Sequence, residues 1–192
     1  MKIITILLCA AGVLVLGCGG VFAAHMPDHA GHGYMAAAGA PPADVVQHRA
    51  CAHCGMDREK FAHSRMLIEY ADGSSLGACS IHCAAIDLAT TIGKQSKAIL
   101  VADYNKKNLI DAEKAYWVIG GKKPGVMTKT AKWAFADKPD ALAFIKENEG
   151  KLATFDEAMQ ATYEDMYSDT KMIRAKRAKM KQMQQMHHEE KK

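Results

Sequence analysis

Apolar and polar positions change rhythm several times along the chain. Residues 3–16 form a largely apolar run behind Lys2, and small residues follow. The run is shorter than the roughly 20 residues a bilayer crossing needs, so it predicts an export signal rather than a membrane span. Residues 65–70 and 75–78 are strand-like and flank the turn Asp72-Gly73-Ser74, which predicts a hairpin. Ser80 is placed to cap a helix to about residue 92, with Gly93 ending it, and a β-rich run follows at 98–103. A comparable order recurs, with strands at 114–119 and 132–136, a helix at 139–148 closed by Gly150, and a strand at 151–154. After Phe155 the pattern turns helical, with Met159, Met166, Ile173 and Met180 seven residues apart. The expected fold class is α+β, with two small ββαβ-like halves and a long C-terminal helix, its first half docked and its second exposed.

The same rhythm divides the chain. Residues 1–18 read as a lipoprotein signal, with Cys18 as the lipidation site; alternatively, cleavage follows Ala23 or Ala24. Residues 19–44 are rich in Ala, Gly and Pro and carry His25, Met26, His29, His32 and Met35, as expected of a metal-collecting tether. Residues 45–157 form the folded domain, and 158–192 a helix and basic Met/His-rich tail. Charge sharpens that last boundary: residues 171–192 hold eight Lys or Arg against Glu189 and Glu190, while the whole chain carries only +4. A basic terminal helix on an exported chain argues against nucleic acid and suits an envelope location, lipid-anchored in the periplasm.

Apart from Cys9 and Cys18, four cysteines remain, Cys51 and Cys54 in a C-x-x-C and Cys79 and Cys83 four apart at a helix start. The spacing admits structural Zn(II), and an oxidising periplasm admits disulfides; either would staple an interaction domain. A thioredoxin-like role fits less well, because that motif opens a helix whereas this one precedes a hairpin. The fourth reading is a soft-metal transfer site, since thiolates and thioethers select Cu(I) and Met56 adds a neutral sulfur two residues after Cys54. His53 and His82 are candidate imidazole donors. No nucleophile elbow, phosphate loop or paired-carboxylate signature points to an enzyme.

Cys51-x-x-Cys54-Gly55-Met56, the Tyr70-x-Asp72-Gly73 hairpin, Pro124-Gly125-Val126-Met127, Ala134-Phe135-Ala136, Asp140-Ala141-Leu142-Ala143-Phe144 and Gly150-Lys151-Leu152-x-x-Phe155-Asp156-Glu157 occur in order. This set resembles the NosL family of nitrous oxide reductase accessory lipoproteins. The resemblance implies two ββαβ-like halves and Cu(I) binding by Cys and Met for delivery to that cuproenzyme or its maturation machinery. Cys54 and Met56 would bind, with Cys51 beside them and Met127 from the second half. Thr128 after Met127, the trio Cys79, His82 and Cys83, and the Met/His tail depart from the family pattern and leave the client open. The expected metal set is Cys51, Cys54, Met56, Met127, Cys79, His82 and Cys83.

Overall fold

The computed structural model describes residues 40–189. The signal segment, both cleavage points, Cys18 and the tether donors His25, Met26, His29, His32 and Met35 lie outside the described residues.

A short helix α1 (Ala43–Gln47) leads through the cysteine knuckle to the hairpin β1 (Met66–Tyr70) and β2 (Ser75–Ala78), then α2 (Ile81–Thr90), β3 (Ser96–Ala102) and β4 (Leu109–Asp111). These four strands form one antiparallel sheet in the order β2-β1-β3-β4. β1 is central in this sheet, so four of its five residues are buried and its pattern does not alternate. The second half contains β5 (Tyr116–Ile119), β6 (Lys132–Phe135), α3 (Lys138–Asn148) and β7 (Lys151–Ala153), with an antiparallel sheet in the order β6-β5-β7. The fold is α+β, with two ββαβ halves as the pattern predicts. β4 is a strand that the pattern did not reveal, because three half-buried residues carry too little periodicity.

Asp103 joins the halves. Its buried carboxylate accepts the amides of Asn105 and Lys106 at 2.9 and 2.7 Å, and that of Ala136 beyond β6 at 2.7 Å. Nearby, the Tyr104 amide donates to the Ala134 carbonyl at 2.8 Å. Tyr104, Phe135 and Phe144 stack at centroid distances of 4.9–5.6 Å, closing α3 over the second sheet.

The last helix, α4 (Phe155–Glu189), has 35 residues, about 52 Å at the usual rise. It starts with a capping box: the Thr154 amide donates to Glu157 Oε2 at 2.8 Å and the Glu157 amide to Thr154 Oγ1 at 3.3 Å. Its buried positions are Phe155, Ala158, Thr162 and Asp169. The methionines at seven-residue spacing flank this stripe: Met159 packs at the core edge and Met166 is half-buried. Polar anchors then hold the helix down. Tyr163 donates to the Ala85 carbonyl at 3.0 Å, Asp165 pairs with Lys132 at 2.7 Å, and Asp169 accepts the Lys129 amide at 3.0 Å. From Arg174 onward the described residues are exposed.

Candidate metal centre

The knuckle is a tight reversal. The Cys51 amide donates to the Met56 carbonyl at 2.8 Å and the Gly55 amide to the Cys51 carbonyl at 2.9 Å, while Ala50 and Asp57 form a bridge. Gly55 has a φ of +76°, which glycine adopts without the penalty a side chain would bring. Arg58 fastens this loop to the hairpin. It is wholly buried and uses every N–H it has: Nε to the Ala78 carbonyl, Nη1 to the Asp44 and His48 carbonyls, and Nη2 to Asp44 Oδ2 and the Met66 carbonyl, at 2.7–3.1 Å. Arg65 grips the same carboxylate at 2.8 and 3.0 Å, so Asp44 is paired on both oxygens.

Cys79 lies just before α2, and Cys83 in its first turn. All four cysteines are free thiols, and their sulfurs lie within 4.8 Å of one another. Cys54 Sγ is 3.4 Å from Cys79 Sγ, and Cys79 Sγ is 3.7 Å from Cys83 Sγ. A tetrahedral tetrathiolate with metal–sulfur bonds of about 2.3 Å has sulfur–sulfur edges of about 3.8 Å, so this donor set fits a soft metal ion with little movement. Ser80, at the N-cap of α2, makes no capping bond, and the first turn holds no acidic residue. The positive end of the helix is thus left to face the charge of the sulfurs.

The thiols share their protons unequally. Cys51 is pushed far below the ordinary thiol range, mainly by hydrogen bonds from Cys54, Cys79 and Cys83. Cys79 and Cys83 are pushed up, chiefly by donating to Cys51. For Cys54 the bond to Cys51 raises the pKa, but donation from Cys79 and Cys83 outweighs it and brings it down to about 7. Cys51 is thus the sulfur that ionises most readily, stabilised by hydrogen bonds from its neighbours, and a cation entering the group would displace the remaining thiol protons.

Cys51, Cys79 and Cys83 are buried, while Cys54 is half-exposed. Cys54 opens onto a cavity of about 660 Å³ whose wall includes Met56, His63, Met127, Met172 and Met180. Met56 and Met127, expected as ligands from the two halves, therefore both line the cavity onto which Cys54 opens. Met127 has a φ of +62°, a left-handed conformation costing about 1 kcal/mol in a side-chain-bearing residue. Its loop is held by the Thr128–Thr130 hydrogen bond of 3.1 Å and by the Lys129 amide on Asp169 of α4.

The structure does not bring His82 into the sulfur group. His82 is buried, and its Nδ1 faces Asp169 Oδ2 at 3.7 Å; burial first, then Lys132, pushes its pKa down against the pull of Asp169. His53 is likewise engaged elsewhere, with Nε2 3.2 Å from Asp87 Oδ1, while Asp87 Oδ2 accepts the Tyr70 hydroxyl. The sequence reading missed Met172, His63 and Arg177. Arg177 Nη2 donates to the Cys54 carbonyl at 2.8 Å, pinning α4 to the knuckle. Only the eight-residue spacing of Met172 and Met180, two helical turns, hinted at a shared wall.

The NosL family model matches residues 42–163. The chain belongs to the NosL family. That match covers the knuckle, both sheets and the start of α4. The crystal structure of the copper chaperone NosL from Shewanella denitrificans is similar, at 27% identity and a TM-score of 0.46, over 56% of this chain and 87% of that one. No curated protein matches. The ordered motifs of the sequence thus identified the family correctly.

Proposed function

We propose that this NosL protein is a Cu(I) chaperone, a carrier rather than an enzyme, that holds the ion on Cys51, Cys54, Cys79 and Cys83 with Met56 and Met127 at the mouth. The observation that carries this reading is the position of Cys54, the half-exposed member of the thiol group, where the group opens onto a methionine-lined cavity. A structural ion needs a closed shell, whereas an ion in transit needs one ligand that a recipient can reach. Thiolate and thioether donors favour monovalent copper over harder ions. In the same reading Cys18 carries a lipid anchor, the protein works in the periplasm, and the recipient is an envelope cuproenzyme such as nitrous oxide reductase or its maturation machinery.

One observation favours a second reading. Three of the four thiols are buried and tie the knuckle to α2, as a structural Zn(II) site would. Competitive Cu(I) and Zn(II) titration of the reduced full chain, with far-UV circular dichroism at each step, separates the two. Tight Cu(I) binding to an already folded protein supports the chaperone. Folding that appears only with Zn(II), without competitive Cu(I) uptake, overturns it.

A further inference from the structure

Met180 lies in two places at once. It lines the cavity above Cys54, and it also lines a surface hollow of about 380 Å³ formed with Met183, Gln184, His187 and His188. Positions 180, 183, 184 and 187 recur at three- and four-residue intervals, which places them on one face of α4 with neighbouring Cβ atoms about 5–6 Å apart. Met180 and Met183 are 53% and 43% exposed, and no core lies beneath these turns. The face therefore carries two thioethers and the His187 imidazole, with His188 also lining the hollow, and through Met180 it adjoins the wall that holds Met172, Met127 and Cys54.

We propose that the last three turns of α4 form a Cu(I)-loading site, with Met180, Met183 and His187 as donors, that passes the ion through the Met172 and Met127 wall to Cys54; this rests on the Cu(I) reading of the thiol group. Two physical features favour monovalent copper as the occupant. Thioether and imidazole are neutral donors suited to a soft ion. Lys176, Arg177, Lys179 and Lys181 flank Met180 along the helix, and their repulsion of a divalent ion is twice that of a monovalent one at the same distance. Neutral donors in a basic setting bind weakly, which suits a site that must release its ion. Transfer involves no change of oxidation state. The copper–thioether bond at Met180 breaks as a copper–sulfur bond forms at Cys54, and the proton displaced from the thiol group passes to solvent. Arg177, bonded to the Cys54 carbonyl, holds the helix in register with the receiving sulfur.

The test uses the reduced full chain and its Met183→Leu/His187→Ala variant, which leaves the cavity wall above Cys54 intact. Stopped-flow transfer from a chromophoric Cu(I)–bicinchoninate complex gives the rate, and the end point gives the affinity of the thiol group. Losing the local reservoir is expected to slow uptake about tenfold and leave the end point unchanged. Rates within about twofold of wild type overturn the proposal. Methyl-¹³C methionine spectra during Ag(I) titration provide a separate reading, with Met180 and Met183 expected to shift at substoichiometric metal. Static Met180 and Met183 methyls would instead make this face an apolar docking surface and overturn the loading site. If wild type takes no Cu(I) onto its cysteines, the chaperone reading fails, while the methyl spectra still decide whether α4 binds metal.

Discussion

Arg58→Met is the substitution whose cost can be worked most directly from the structure. The guanidinium is fully buried and makes five hydrogen bonds, four to the backbone carbonyls of Asp44, His48, Met66 and Ala78 and one to the Asp44 carboxylate, which ties α1 and the segment after it to β1 and β2. Methionine fills similar volume but returns none of those bonds, and leaves Asp44 with Arg65 as its single cationic partner. Breaking a buried pair in this way costs about 3–5 kcal/mol, because the loss is the desolvation of the abandoned groups rather than the net worth of the pair. At about 3 °C per kcal/mol for a domain of this size, the melting temperature should fall by about 12 °C. Urea denaturation of the metal-free reduced protein at neutral pH measures the free energy, and circular dichroism melting checks the temperature. Arg58→Lys should recover little, since an ammonium cannot reproduce five planar donors. A loss below about 1 kcal/mol would refute the reasoning, because the knuckle would then be held without Arg58.

The pair between Lys132 and Asp165 makes a parallel prediction for α4. The Lys132 side chain is 0% exposed and Asp165 29%, so Asp165→Ala should cost about 2 kcal/mol by leaving the lysine buried and unpaired. Adding Lys132→Met should restore most of that loss in thermal unfolding. The histidines set a pH dependence. Burial, reinforced by Lys107, pushes the pKa of His63 down among Phe61, Tyr104 and Trp133, and burial with Arg58 does the same to His48. The unfolded chain therefore binds protons first, so this stability is present above pH ~6.5 and is lost as pH falls through the folded pKa values. Denaturation between pH 5 and 7 should show stability rising with pH, and His63→Phe should flatten the slope; an unchanged slope would rule out His63 as a source.

Much of the fold and part of the centre were legible in the residue order. The hairpin around Asp72-Gly73, the helix before Gly93, the second ββαβ unit and the helix from Phe155 are local matters, decided by periodicity, turn glycines and caps that act over a few residues. The two cysteine pairs announced a soft-metal or stapled site for the same reason, since C-x-x-C-G-M is a local reversal and Cys79 and Cys83 sit one turn apart. The centre itself is not local. Cys54 and Cys79 are 25 positions apart, and Met127 is more than 70 residues from Cys54; what joins them is the buried Asp44–Arg58–Arg65 network and the docking of α4 through Asp165, Asp169 and Arg177. No spacing rule foretells that an arginine seven residues after Cys51 will be wholly buried, or that His82 will face Asp169 rather than the sulfurs. The sequence by itself determined which elements form and which donors are present. Which donors converge was decided by tertiary packing, because burial leaves a charged group stable only where distant partners satisfy it.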